Sequence, residues 1–171
     1  MTRDMDLDEV LQEIVSLVRA FLNCDSCLIY LKEDEELVLF ASSDGDRKNL
    51  GRVRLRLNEG LTGWVARERR LLAISREAYS DPRFKFFSDL PEDTYEAFLS
   101  VPITARQVTL GVINVQHRAP HAHTGDQMEA LSSIGELIGC LVLLADLADQ
   151  PVTPSNYAEL ALRSVPIAQE S

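Results

Sequence analysis

Apolar residues near the start of the chain recur at alternating intervals of four and three, which is the period of an amphipathic helix. They are Leu7, Leu11, Ile14, Val18 and Phe21. Asp6 precedes this run as a helix N-cap, with Glu9 three positions on. Asn23 follows the run and tolerates the left-handed turn that often ends a helix. The pattern predicts an amphipathic helix between these two caps.

Shorter runs rich in β-branched and aromatic residues follow, separated by polar turns. They predict strands at 27–31, 37–42, 52–57, 71–75, 98–104 and 109–117. In the third run Val53, Leu55 and Leu57 alternate with Arg52, Arg54 and Arg56. This alternation predicts a strand with one buried and one wet face. A short polar turn near 105–108 joins the last two runs, so we expect them to form a hairpin.

A second long helix is predicted from Thr124, which forms a capping-box pattern with Gln127. Gly135 and Gly139 lie one turn apart in it. We expect these glycines to relieve crowding against the sheet, and close approach of another helix is the alternative.

Together the elements predict an α+β fold with a central, mostly antiparallel sheet of five to six strands. The N- and C-terminal helices are expected on one face of that sheet. The opposite face needs its own cover, and the aromatic-rich stretch 76–97 is the only unassigned segment long enough to supply it. Beyond it, prolines punctuate a polar stretch, so 6–149 is expected to form one domain and 150–171 a C-terminal tail or linker.

The net charge of the chain disfavours some classes of binding partner. The chain has 27 acidic and 17 basic residues, a net charge of -10, which disfavours binding to nucleic acid or to an anionic membrane surface. The longest uninterrupted apolar run, 140–145, is too short to span a bilayer, and no signal-peptide pattern follows Met1. We therefore expect a cytoplasmic protein with three reduced cysteines and no membrane segment.

Four segments resemble the GAF domain, a small sensor module of signalling proteins. They are NEGLTGWVA at 58–66, SDPRF at 80–84, YEAFLSVPI at 95–103 and GVINVQ at 111–116. The resemblance covers about 6–149. It implies that the terminal helices share one face of the sheet and that a ligand pocket lies on the other face, roofed by loops and short helices.

Nine candidate ligand-binding residues follow from this placement: Trp64, Ser75, Tyr79, Asp81, Phe84, Tyr95, Phe98, Ser100 and Asn114. Trp64 is either a pocket wall or a core residue, and Ser100 either binds ligand or satisfies the backbone. Asn114 is the stronger polar candidate, because burying an amide without a partner costs roughly 1 to 3 kcal/mol. Asp81, which precedes a proline, is also explained as a turn residue.

The sequence contains little that indicates a catalytic site. Cys24 and Cys27 form a C-x-x-C that follows a helix and enters a strand, whereas redox pairs use the lowered thiol pKa at a helix N-terminus. Zinc bound by these cysteines would need distant histidines to approach. The histidines of HRAPHAH, His117, His121 and His123, are expected in an exposed polar loop, with haem ligation or a pH-responsive surface as alternatives. We predict no catalytic residue and no metal ligand, and the sequence identifies no cofactor.

The leading hypothesis is a non-catalytic sensory domain. It would bind an unidentified small molecule, signal through its terminal helices as a homodimer, and regulate an output domain in a longer protein. The alternatives are a dimerisation or docking module without a ligand and a thiol-dependent methionine sulfoxide reductase. The reductase is disfavoured because the segment 28–139, where the resemblance places the pocket, contains no cysteine.

Overall fold

The computed structural model describes residues 6–44, 49–83 and 95–148. Within these ranges the helices are α1 (Leu7–Leu22), α2 (Gly60–Glu68) and α3 (Gly125–Ala148), with a short 3-10 turn at Ala78–Ser80. The strands are β1 (Ser26–Glu33), β2 (Glu36–Ser42), β3 (Arg54–Arg56), β4 (Leu72–Ile74), β5 (Ala97–Ala105) and β6 (Val108–His117).

The strands form one sheet in the order β3-β2-β1-β6-β5-β4, and every neighbouring pair is antiparallel. At its centre Ile113 of β6 lies opposite Ile29 of β1 on one side and Val101 of β5 on the other. The predicted α+β fold with an antiparallel sheet is confirmed.

The two terminal helices pack on the same face of the sheet, as the sequence predicted. Leu11 and Val15 of α1 and Leu131 and Ile138 of α3 are buried in one cluster with the strand residues Ile29, Ala41, Leu99, Val101, Ile113 and Val115. The strand residues of this cluster alternate along each strand, so the other strand positions face the opposite side.

The helix caps form as their sequence signals indicate. The carboxylate of Asp6 accepts a hydrogen bond from the Glu9 amide at 3.5 Å, and Asn23 ends α1 in the left-handed region, with φ of 49°. At α3 the Thr124 amide donates to Gln127 Oε1 at 3.0 Å, and the Gln127 amide donates to Thr124 Oγ1 at 3.1 Å. The reciprocal pair is a complete capping box.

Gly135 and Gly139 face β5. A Cβ atom on Gly135 would lie 2.8 Å from the carbonyl oxygen of Pro102, and one on Gly139 would overlap the carbonyl oxygen of Thr104. The two glycines therefore let α3 lie close against the sheet, which confirms the first of the two interpretations.

The reverse face carries a second core beneath α2. Leu61 and Val65 of α2 pack on Tyr30, Leu55 and Val112 of the sheet. Leu55 is buried between the exposed Arg54 and Arg56, so the predicted alternation holds, although β3 is shorter than 52–57. The predicted cover for this face is described only up to residue 83 and from residue 95. Phe84 and the predicted tail 150–171 lie outside the described residues.

Helix α3 is more apolar than its packing requires. By length and composition alone, residues 125–147 could cross a membrane, and only a minority of them are buried in the fold. Leu137 and Leu144 are 57% and 62% exposed, and Leu17 and Phe21 of α1 are 61% and 66% exposed. The helix layer thus presents apolar side chains on its outer surface.

Candidate functional site

A buried polar cluster joins α2 to the centre of the sheet. Ser100 and Asn114 are cross-strand neighbours of β5 and β6, and Ser100 Oγ donates to Asn114 Oδ1 at 2.6 Å. Asn114 Nδ2 donates to Thr62 Oγ1 of α2 at 2.7 Å. All three side chains are buried. The expectation that something bonds to Asn114 is met by side chains of the protein itself.

Thr62 was not among the residues that sequence reasoning selected. It is the polar residue beside Leu61 on the inner side of a short helix, where a hydroxyl needs a buried partner. Its neighbour Gly63 has no room for a side chain, because a Cβ atom there would lie 2.8 Å from the carbonyl oxygen of Arg56. The absence of a side chain at Gly63 therefore allows α2 to lie close to the sheet, and the hydrogen bond from Asn114 to Thr62 holds it there.

Trp64 lies half-buried at the edge of this face, with the guanidinium carbon of Arg83 4.6 Å from its ring centroid. Arg83 also donates from Nε and Nη2 to the two carboxylate oxygens of Asp81, at 2.8 and 2.7 Å. These hydrogen bonds lower the pKa of Asp81. Arg83, in the first part of the aromatic connection, thus lies over Trp64 of α2 and is paired with Asp81.

The remaining candidates occupy different surroundings. Phe98 is buried in the α2 core, and Tyr95 is buried with the guanidinium of Arg118 5.8 Å from its ring centroid. Burial raises the pKa of Tyr95. Tyr79 is exposed and donates to Glu96 Oε1 at 3.0 Å, and Ser75 is exposed beyond the edge strand β4. The structure thus brings Trp64, Phe98, Ser100 and Asn114 to one face, and their contact with a ligand stays a prediction.

The cysteines of the C-x-x-C sequence, Cys24 and Cys27, are not activated thiols. Cys24 follows α1 and Cys27 lies in β1, as their sequence context indicated. Burial raises the pKa of Cys24 to about 11 and that of Cys27 well above its usual value. Since the thiolate is the nucleophile, both groups are in an unreactive form at neutral pH. The third thiol, Cys140, is exposed on α3.

The histidines do not form the exposed polar loop that the sequence led us to expect, and that interpretation was wrong. Strand β6 continues to His117, which pairs with Ala97, and both His117 and His123 are buried. The following loop folds back because the His121 amide donates to the carbonyl of Ser75 at 2.9 Å. The signal was present in the alternation of Ile113, Val115 and His117 on one side of the strand.

The described part of the surface includes two clefts of similar volume. One of about 670 Å³ separates the end of α1 from the loop before α3, where it is lined by Cys24, Asp25, His117, Pro120 and His121 among others. The second, of about 650 Å³, lies beside the β5–β6 turn and Cys140. Neither is lined by the candidate ligand residues beneath α2.

Comparisons with known proteins agree on one family. The family model described as GAF domain matches residues 6–142. The Nif-specific regulatory protein of Azospirillum lipoferum is 26% identical over 171 residues, which cover 96% of this chain and 27% of that protein. The chain thus spans about a quarter of the length of this relative.

Solved structures give the same result. The GAF domain from an Acinetobacter phosphoenolpyruvate-protein phosphotransferase superposes with a TM-score of 0.76 at 25% identity, covering 85% of this chain and 87% of that one. A type II free methionine-R-sulfoxide reductase from Thermoplasma acidophilum shares the fold, with a TM-score of 0.67, 20% identity and coverage of 80% and 95%. Since the family model, the sheet order and the helix placement all agree, the chain belongs to the GAF domain family.

Proposed function

We propose that this chain is a non-catalytic regulatory domain that binds a small molecule on the α2 face and signals through α1 and α3 as a dimer. The observation that carries this proposal is the difference between the two faces of the sheet. One face carries both terminal helices with apolar side chains exposed, and the other carries a half-buried tryptophan above a buried polar cluster.

Similarity supports a regulatory role. One relative is a Nif-specific regulatory protein about four times longer than the matched segment. By analogy, this domain would control an output domain of a longer cytoplasmic protein. A ligand would do so by binding more tightly to one arrangement of α2 and the terminal helices than to another.

The dimer is inferred from the outer surface of the helix layer. Leu17, Phe21, Leu137 and Leu144 are each more than half exposed, and burying such side chains is favourable by roughly 1.5 to 3 kcal/mol each. A second copy related by a two-fold axis presents the same apolar surface in return. The partner that best matches this surface is therefore another copy of the chain.

Thermal-shift screening tests the ligand. The panel contains nucleotides, amino acids, 2-oxoacids and haem. A compound present at 100 times its Kd stabilises the native state by about 2.7 kcal/mol, which is a clear rise in Tm. We expect at least one class to produce a saturable rise.

Paired serine variants then locate the binding site. Ser100→Ala removes a hydroxyl from the α2 face, whereas Ser16→Ala removes one from the exposed side of α1, where Ser16 Oγ donates to the Gln12 carbonyl. Weaker binding in Ser100→Ala and unchanged binding in Ser16→Ala support the proposed face. Equal affinities in both variants would argue for a different site.

A docking module without a ligand is the second candidate, and one observation favours it. The polar side chains beneath α2 bond one another, and Asp81 and Arg83 are paired, so each has a partner within the protein. This candidate predicts that the whole panel leaves Tm unchanged while dimerisation persists.

A further inference from the structure

Three histidines from one short segment meet at the end of the sheet. His117 ends β6, His121 lies in the following loop, and His123 directly precedes the capping residue Thr124 of α3. One ring nitrogen from each lies within 4.8 Å of the other two. These are the only histidines of the chain, so the fold gathers every imidazole at one place.

We propose that His117, His121 and His123 bind a divalent transition-metal ion of the zinc class. Imidazole nitrogen is a common ligand for such ions, and three protein ligands leave one position for water or a further group. The site is distinct from the small-molecule face under α2, and it replaces the expectation from sequence that no residue ligates a metal.

Two of the ligands are nearly in position. Metal–nitrogen distances of about 2.0 to 2.1 Å place two nitrogens on a tetrahedral ion roughly 3.3 Å apart. The Nε2 atoms of His117 and His123 are 3.0 Å apart. A small separation of the two rings would thus accommodate an ion between them.

His121 supplies the third ligand by turning its ring. That ring now stacks on His117, with centroids 4.1 Å apart and an angle of 14° between the planes. Nitrogen lone pairs of stacked rings do not converge, so rotation toward the other two nitrogens is required. The His121 Nε2 atom is buried and has no hydrogen-bond partner, although buried ring nitrogens normally have one. Coordination would give this atom a partner.

The surroundings favour the metal-binding form of the rings. Both His117 and His123 are buried, which favours the neutral imidazole, and one Nε2 donates a hydrogen bond to the other; a bound ion would take the place of this shared proton. Asp25 places a negative charge near His117 and lines the same cleft as His117 and His121. This cleft gives an ion a path from solvent to the site.

The backbone of each ligand is fixed by a different contact. His117 is held by pairing with Ala97, the His121 amide bonds the Ser75 carbonyl, and His123 is tied to the capped start of α3. A bound ion would cross-link the end of β6 to the beginning of α3. Its binding would consequently stabilise the attachment of a helix that we propose transmits the signal.

Titration of the metal-stripped full chain with Zn²⁺ tests the site. The experiment uses a Cys140→Ser background, which removes the exposed thiol as a competing ligand. We expect one ion per chain with a Kd on the order of micromolar or tighter by calorimetry. With Co²⁺ we expect the visible bands of a tetrahedral ion and no thiolate-to-cobalt charge-transfer band.

Variants assign the ligands. Loss of an outer-shell partner weakens metal binding 10- to 100-fold, so His121→Ala, which removes a ligand, should weaken it by at least about 100-fold. His123→Gln should act in the same way, and Cys24→Ser, at the same cleft, should bind like the parent. Circular dichroism and metal-free melting curves establish that each variant is folded.

Several results would overturn the proposal. These are the absence of saturable Zn²⁺ binding by the parent, an affinity equal to the parent's in folded His121→Ala and His123→Gln, or loss of binding in folded Cys24→Ser. The small-molecule screen does not depend on these results, because the variant that locates the small molecule, Ser100→Ala, lies on the opposite face of the sheet.

Discussion

At the scale of single residues, burial decides which groups are chemically available. Cys24 and Cys27 are 6% and 0% exposed, and burial raises the pKa of both. A methionine sulfoxide reductase mechanism requires an accessible thiolate. The described surroundings of these residues oppose that alternative.

Thiol labelling tests this conclusion. In Cys140→Ser protein, which lacks the exposed thiol, we expect Cys24 and Cys27 to react with an aromatic disulfide reagent at neutral pH only when the protein is unfolded. The physical reason is that both sulfurs are buried and protonated. Absorbance during labelling, with and without denaturant, measures the rate. Labelling of the native protein as fast as that of a free thiol would return the reductase to consideration.

The sequence predicted the positions of several residues but not their partners. Alternation along β5 and β6 was sufficient to place Phe98, Ser100 and Asn114 on the inner surface of one face. The hydrogen bond from Asn114 to Thr62 joins residues 52 positions apart, which no local pattern specifies. The histidine cluster is unpredictable for a similar reason, because the loop that carries His121 is folded back by a hydrogen bond to the distant Ser75 carbonyl.

At the scale of secondary-structure elements, α3 depends on close approach to β5. Gly139 lies over the carbonyl oxygen of Thr104, and Gly135 lies over that of Pro102. Alanine normally stabilises a helix interior relative to glycine by about 1 kcal/mol. Because a Cβ atom would clash with the sheet here, we expect the reverse preference at these two positions.

Alanine substitution of the glycines tests the packing of α3. We expect Gly139→Ala to destabilise the domain by about 1 to 3 kcal/mol, because overpacking shifts the helix away from the sheet. Gly125→Ala is the control, since a Cβ atom there meets nothing within 4 Å, and it should be neutral or stabilising. Urea unfolding measures both changes. A stabilised Gly139→Ala protein would show that α3 does not pack as described.

Helix ends could be predicted from the sequence, whereas the conformation of the β5–β6 turn could not. Caps such as Asp6 and Thr124 are local signals, and both formed as expected. The β5–β6 hairpin was also predicted, but its turn places Arg106 and Gln107 at φ of 51° and 65°. Arginine and glutamine do not favour left-handed backbone conformations, so the sequence does not predict this turn. The pairing of the flanking strands imposes it.

At the scale of the whole molecule, the proposed dimer accounts for the apolar outer surface of the helix layer. Leu137→Glu combined with Leu144→Glu places charges in the proposed interface, and we expect the dissociation constant to rise at least about tenfold. Val108→Glu is the control, because Val108 is 37% exposed and lies on the β5–β6 hairpin instead of on a helix. Sedimentation equilibrium measures the change. Monomeric parent protein at micromolar concentration would exclude the dimer.

The sequence predicted the shared face of α1 and α3 because two long helices and one sheet pack as layers, and the GAF resemblance implies the same placement. It did not reveal how much of the apolar surface of these helices stays exposed, since exposure depends on the width of the sheet beneath them. The GAF resemblance supplied the expectation of a ligand face, and the residues that would complete its roof lie partly outside the described ranges.

Trp64 provides the most direct test of the ligand-binding claim, because it is the only tryptophan of the chain and lies on the α2 face beside Arg83. Its fluorescence is titrated with each compound that raises Tm. We predict a saturable change in Trp64 emission with the same Kd as the thermal shift. A compound that raises Tm and leaves Trp64 emission unchanged would place the binding site elsewhere and contradict the account.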